Sequence, residues 1–139
     1  MTEQFVSIDS FFAEAAGVEV ISEGAASAFD ARSEQFAAVT GALEKINADG
    51  YEMPALGVSV DSFTKNEMKK GVWLRFVFSR TREHNGMPFD ALLIKIEPNF
   101  HGYNIERQNG GIYGGRCFYF NLNSGDMSAL SDTVNGLLK

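Results

Sequence analysis

The chain has 139 residues, 45% hydrophobic and 22% charged, with a formal net charge of −6, a length and apolar share that suit one domain, 1–139, around one core. No apolar run approaches the roughly 20 residues a membrane helix needs, and the single cysteine, Cys117, excludes an internal disulfide and suits a reducing compartment. Met1 to Gly17 holds Glu3, Asp9 and Glu14 and no base, unlike a secretory signal, so the chain reads as cytoplasmic and soluble.

Ser7 or Asp9 can cap a short helix through Ala16, with Ile8, Phe11 and Phe12 apolar and Gly17 ending it. Val18 to Ile21 reads as a brief edge strand. From Ala25 to Asn47 the period is helical: Phe29, Phe36 and Leu43 fall seven apart, with Val39 and Ile46 between them. Ala37, Ala38, Gly41 and Ala42 leave part of that helix bare, which permits close approach to a sheet. A first sheet strand spans Ala55 to Asp61, with Leu56, Val58 and Val60 inward and Gly57 and Ser59 outward. Thr64 to Gly71, with Lys65, Glu67, Lys69 and Lys70, reads as a charged connection. Phe63 caps the core edge or adds to the outer face; spacing does not choose.

Two strand-like runs, Val72 to Arg80 and Phe89 to Glu97, form the central hairpin. Leu74, Phe76 and Phe78 share one parity, as do Leu92, Ile94 and Ile96. Facing both sets into one core places Phe78 opposite Leu92 and Phe76 opposite Ile94, which needs the three-residue turn His84-Asn85-Gly86. A two-residue Asn85-Gly86 turn would slip that register and put one set in water. A fourth strand near His101 to Arg107 turns Tyr103 and Ile105 inward, opposite Ile94 and Leu92. The loop 109–115 leads to a fifth strand, Arg116 to Leu122, with Phe118, Phe120 and Leu122 on the core face. Ser124 or Asp126 caps a last helix striped by Met127, Leu130, Val134, Leu137 and Leu138. The expected fold is α+β: a five-stranded antiparallel meander, with a long N-terminal helix and a C-terminal helix packed on one face.

The other face carries Trp73, Arg75, Val77, Leu93, Lys95, Asn104, Cys117 and Tyr119, too polar for a second core and too aromatic for an indifferent surface. Charge is also segregated: residues 1–52 hold ten acids against Arg32 and Lys45, and the remainder holds eight acids against ten bases. These two features point to a non-enzymatic protein-binding module, a small acidic inhibitor, immunity-type or adaptor protein with a basic protein partner. Asp30, Glu34 and Glu44 would steer the encounter, while Trp73, Arg75, Lys95 and Tyr119 would anchor it. A homodimer through the same face, acting as a chaperone for a secreted client, is a second version. Small size and acidity are similar to those of type III secretion chaperones, whose sheets are interrupted by a helix where this chain reads as five unbroken strands.

The alternative is a small-ligand or nucleotide-phosphate binder. Asn109-Gly110-Gly111-Ile112-Tyr113-Gly114-Gly115, between Arg107 and Arg116 and with Tyr113 at its tip, could offer backbone N–H groups and two guanidinium forks to a phosphate. The loop enters a strand and not a helix, so no helix dipole assists. His84 falls in a turn, His101 at a strand start, and Cys117 has no histidine placed near it. No spacing for a nucleophile, metal site or cofactor is present, and the acidity opposes nucleic-acid binding.

Overall fold

A computed structural model describes residues 6–55 and 57–138 of the chain. A 3-10 segment, Ile8–Glu14, opens it and buries Ile8, Phe11 and Phe12. Two strands follow, β1 (Gly17–Ser22) and β2 (Ala25–Asp30), paired as a hairpin. Helix α1 therefore covers only Glu34–Asn47, not 25–47. Its start is set by Ser33, whose hydroxyl accepts the Phe36 amide at 3.0 Å. Phe29 belongs to β2 opposite Val18, so its seven-residue spacing from Phe36 has no helical meaning.

The remaining elements are β3 (Tyr51–Met53), β4 (Val58–Val60), α2 (Asp61–Glu67), β5 (Val72–His84), β6 (Met87–Ile96), β7 (Gly102–Asn109), β8 (Ile112–Arg116), β9 (Phe118–Asn121) and α3 (Ser128–Leu137). The fold is α+β with an antiparallel sheet, but the sheet has nine strands in place of five. Its order is β2-β1-β5-β6-β7-β8-β4, with β9 beside β7 and β3 beside β9. Strand β1, expected at an edge, lies inside the sheet between β2 and β5. Val18 and Val20 are fully buried on its core face, while Glu19 and Ile21 face α2's side of the sheet. The segment expected as the first strand lies at the far edge against β8, and its inside is reversed: Ser59 is buried, whereas Val58 and Val60 are exposed. Leu56, also expected inward, lies outside the described residues.

The central hairpin corrects the expected turn. Asn85 and Gly86 both take positive φ, 52° and 77°, and His84 pairs with Met87, which makes the two-residue turn that Asn-Gly favours. The parity problem is solved elsewhere, by an irregularity between Val77 and Arg82. Beyond that bulge Phe76 faces Leu92 and Leu74 faces Ile94, so both apolar sets reach one core with the partners shifted by two residues. Ile105 likewise faces Ile94, and Tyr103 and Ile105 point inward as expected.

Helices α1 and α3 cover this face, bringing Phe36, Val39, Leu43, Leu130 and Val134 onto Phe76, Leu92, Ile105, Phe118 and Phe120. Asp126 Oδ1 accepts the Ser128 amide and hydroxyl at the start of α3. One buried polar pair lies within the aromatic core. His84 Nε2 is 2.9 Å from both carboxylate oxygens of Glu52, and Glu52 Oε1 also accepts the Ile8 amide at 2.7 Å. The edges of Phe11 and Phe118 close around the imidazole. The histidine expected in an open turn is thus the knot joining the 3-10 segment, β3 and the end of β5.

Candidate functional site

Opposite α1 and α3, the sheet is roofed in part by its own chain. Asp61–Glu67, expected as strand end and charged connection, forms α2, which leaves the edge strand β4 and leads back across the sheet to β5. Asp61 Oδ1 accepts the Tyr113 amide at 2.8 Å, and Met68 packs on Ile21, Trp73, Leu93 and Tyr113, a second apolar cluster. That amide and Lys65 hold the Asp61 carboxyl below its usual range, so the tether is complete above that range and is lost as pH falls through the lowered value.

This roof overturns the expected docking face. Trp73 is 6% exposed, and its Nε1–H donates to the Lys70 carbonyl at 2.8 Å. Arg75 is committed to Glu19 at 2.8 Å and, through two N–H groups, to Gln108 Oε1. Lys95 is half-buried, with its ammonium 5.6 Å from the centre of the Trp73 ring and 3.3 Å from Glu97. Tyr119 is half-buried, with its hydroxyl lying over Gly102 where a Cβ would otherwise stand. Asp30, Glu34 and Glu44 are exposed, but Glu34 and Glu44 ride on α1, on the other side of the sheet from Trp73. The expected steering and anchoring residues are not one surface.

Within the second cluster Tyr113 is 2% exposed, and its hydroxyl makes no hydrogen bond among the described residues. Burial pushes that hydroxyl up to about 12, against an opposing pull from Arg75. Tyr113→Phe is therefore expected to leave stability unchanged or raise it by up to about 1 kcal/mol, since it removes a buried polar atom that earns nothing. Urea denaturation checks this; a loss above about 1 kcal/mol would show that the hydroxyl has a partner.

The glycine loop does not present itself to a phosphate. Asn109 pairs with Ile112 across a tight turn, and the Gly110 amide donates to Asp90 Oδ2 at 3.0 Å. With the Tyr113 amide given to Asp61, two of the amides a phosphate would need already face carboxylates. Arg107 is 8% exposed and lies on the core side, opposite Leu92. Its Nε–H donates to the Arg116 carbonyl and its NH1 to the Pro88 carbonyl, both at 2.9 Å. Gly115, at φ 75°, leaves the room that the Arg107 guanidinium occupies. Arg116 alone of the expected clamp is exposed.

A different cluster occupies the angle between α2 and the sheet. Thr64 Oγ1 donates to Glu106 Oε1 at 2.6 Å, Ser59 Oγ donates to the same oxygen at 2.9 Å, and Cys117 Sγ lies 3.3 Å from Ser59 Oγ. Ser59 has one hydroxyl hydrogen. Because Glu106 takes it, the sulfur contact is a thiol S–H donating to Ser59 Oγ. Burial pushes the Cys117 thiol up, which agrees with a protonated sulfur and opposes nucleophilic use. These groups line a pocket of about 270 Å³, with Phe63 and Asn104 at its mouth. Asn104 also borders a shallower depression of about 320 Å³ running to Tyr119 and Phe100. Sequence parity had placed Ser59, Asn104 and Cys117 outward. The convergence on Glu106 depends on the β4–β8 pairing and on α2, which no local pattern encodes.

Beside this pocket the surface is apolar. Val58 (69% exposed), Val60 (58%) and Ile112 (62%) share one face of the β4–β8 pair, and Phe63 (64%) stands in the first turn of α2. Among the described residues no group of His, Cys, Asp and Glu could hold a metal ion, and no helix is long and apolar enough to cross a membrane. The chain is an α+β protein with an antiparallel sheet. Compared with protein-family models, curated protein sequences and solved structures, it matches none.

Proposed function

We propose that this chain is a protein-binding module, of the inhibitor, immunity or adaptor type, that docks an extended basic segment of a partner protein on the corner formed by β4, β8 and α2. The observation that carries the reading is four large apolar side chains left exposed at one corner, Val58 and Val60 on β4, Phe63 on α2 and Ile112 on β8, where β4 pairs only with β8 among the described residues. A strand edge offers backbone donors and acceptors to an added strand, and apolar side chains beside it supply the desolvated anchors. The local carboxylate favours a basic occupant: Glu106 lies next to the edge, and the ten acids against two bases in residues 1–52 add attraction only at longer range. Trp73 and Arg75 serve the interior in this scheme. Tyr119 and Lys95 lie on the unroofed remainder of the sheet, and Asp30, Glu34 and Glu44 contribute long-range attraction only.

The test begins with a partner isolated from the native host. Phe63→Ser is expected to weaken binding by about tenfold or more through faster dissociation, with the urea midpoint unchanged because the ring is exposed. Reversing Asp30 and Glu34 to lysine is expected to slow association in low salt. Unchanged affinity of Phe63→Ser for that partner would sink the proposed corner.

A second reading, homodimerisation, rests on β2. Its six residues, Ala25–Asp30, form the opposite edge of the sheet, and all but Phe29 are exposed. It has no proline, lysine or bulge of the kind that guards free edges. Light scattering decides it: a monomer at all concentrations removes the β2 dimer.

A further inference from the structure

We infer that the Glu106 pocket is a receptor for an alkylammonium group, supplied by a lysine side chain of the docked segment; the source of that lysine rests on the docking reading above, and the pocket's chemistry does not. Hydrogen accounting is the starting point. The hydroxyl hydrogens of Ser59 and Thr64 both point at Glu106 Oε1, and the Cys117 thiol hydrogen points at Ser59. Glu106 Oε2 has no hydrogen-bond partner among the described residues, and Glu106, Ser59 and Thr64 all line the cavity with the hydroxyl hydrogens already used, so its polar lining is rich in acceptors.

No lysine, arginine or histidine lies within ion-pair distance of Glu106 among the described residues. Arg75 is held by Glu19 and Gln108, and Arg107 is on the other face of the sheet, bound to two carbonyls. A half-buried carboxylate supported by two hydroxyls and left without a cation favours a cationic ligand. The geometry selects between cations. A guanidinium fork needs both carboxylate oxygens in parallel, and Oε1 already accepts two hydrogens. A compact ammonium, with three rotatable donors, needs only Oε2 and neighbouring lone pairs. Phe63 at the pocket mouth offers an apolar wall to the methylene stem. The adjacent β4 edge would hold a strand whose alternate side chains reach this depth.

The experiment uses the full chain and follows amide resonances and heat of binding on titration with Nα-acetyl-lysine methylamide, its norleucine isostere and its arginine counterpart. The lysine derivative is expected to shift the amides of Ser59, Thr64 and Glu106 saturably, and to bind about tenfold more tightly than the other two. Glu106→Gln keeps an acceptor for both hydroxyls and is expected to abolish the lysine preference. A readout that needs no variant is the alkylation rate of Cys117 in the unaltered protein, which the lysine derivative should slow and the norleucine derivative should not. Absence of a lysine preference, its survival in folded Glu106→Gln, or equal protection of Cys117 by lysine and norleucine would overturn the pocket. A lysine-centred extended peptide is the second arm. If it binds more tightly than the single residue, the docked segment is supported. If it binds no more tightly, the docking source is overturned, and the lysine–norleucine comparison has already judged the pocket separately.

Discussion

Replacing Glu52 with alanine is expected to cost the fold about 2–6 kcal/mol, because it strands two buried hydrogen-bond donors at about 1–3 kcal/mol each. Glu52 and His84 side chains are each 5% exposed. The carboxylate is bonded through both oxygens to the imidazole and through one to the Ile8 amide, so its loss leaves two donors buried without acceptors. Phe11 and Phe118 pack edge-on against the imidazole and leave little room for water. Three distant stretches meet here, so the 3-10 segment should loosen from the sheet as well. Urea denaturation measures the loss, and hydrogen exchange at Phe11 and Phe12 reads the loosening. Glu52→Gln, which keeps an acceptor, should recover part of the stability. A loss below about 1 kcal/mol for Glu52→Ala would mean that the pair does not hold the segment. For a domain whose total stability is about 5–15 kcal/mol, the expected loss is a large fraction.

Arg107→Ala is expected to cost about 3 kcal/mol, from two charge-assisted hydrogen bonds and a cavity beneath Phe118. The guanidinium carbon lies 5.9 Å from the centre of that ring and is enclosed beside Gly115. Desolvation lowers the Arg107 pKa, yet a guanidinium remains charged throughout the working range, so its place depends on the Pro88 and Arg116 carbonyls. Arg107→Met refills most of the space without satisfying those acceptors, and its cost should fall between alanine and the unaltered protein. Denaturation midpoints order the three. If methionine is no better than alanine, hydrogen bonding carries the whole effect; if alanine is harmless, the residue is free for the ligand role first read from its sequence.

Arg107 shows where reading from residues alone stops. Arginines flanking four glycines satisfy the composition of an anion clamp, and nothing in the local string says that one guanidinium turns under the strand to the carbonyls of Pro88 and Arg116. Trp73 is a parallel case. Its parity, opposite to Leu74 and Phe76, correctly put it on the second face, and it is covered because residues 61–71 carry Met68 back over that face. Lys65, Glu67, Lys69 and Lys70 read as a solvated connection because only Thr64 and Met68 turn inward in that segment. Leu93, buried on the supposedly wet face, is the available warning, whereas Tyr113, read as a loop tip, joins that face only through the fold.

Alternation between apolar and polar residues sufficed for the α+β class, the antiparallel hairpin from Val72 to Ile96, the inward set from Leu74 to Leu122, and the C-terminal helix with Asp126 at its start. These follow from periods of 2 and 3.6 residues, which act within a few neighbours. Long-range pairing decided the rest: β1 inside the sheet, β2 taking residues first read as helix, the bulge between Val77 and Arg82, and β4 beside β8. The pocket around Glu106 exists only through that last pairing and the crossing of α2. Ser59, Thr64 and Cys117 are 42 to 58 residues from their partners, and local preference carries no information over that separation.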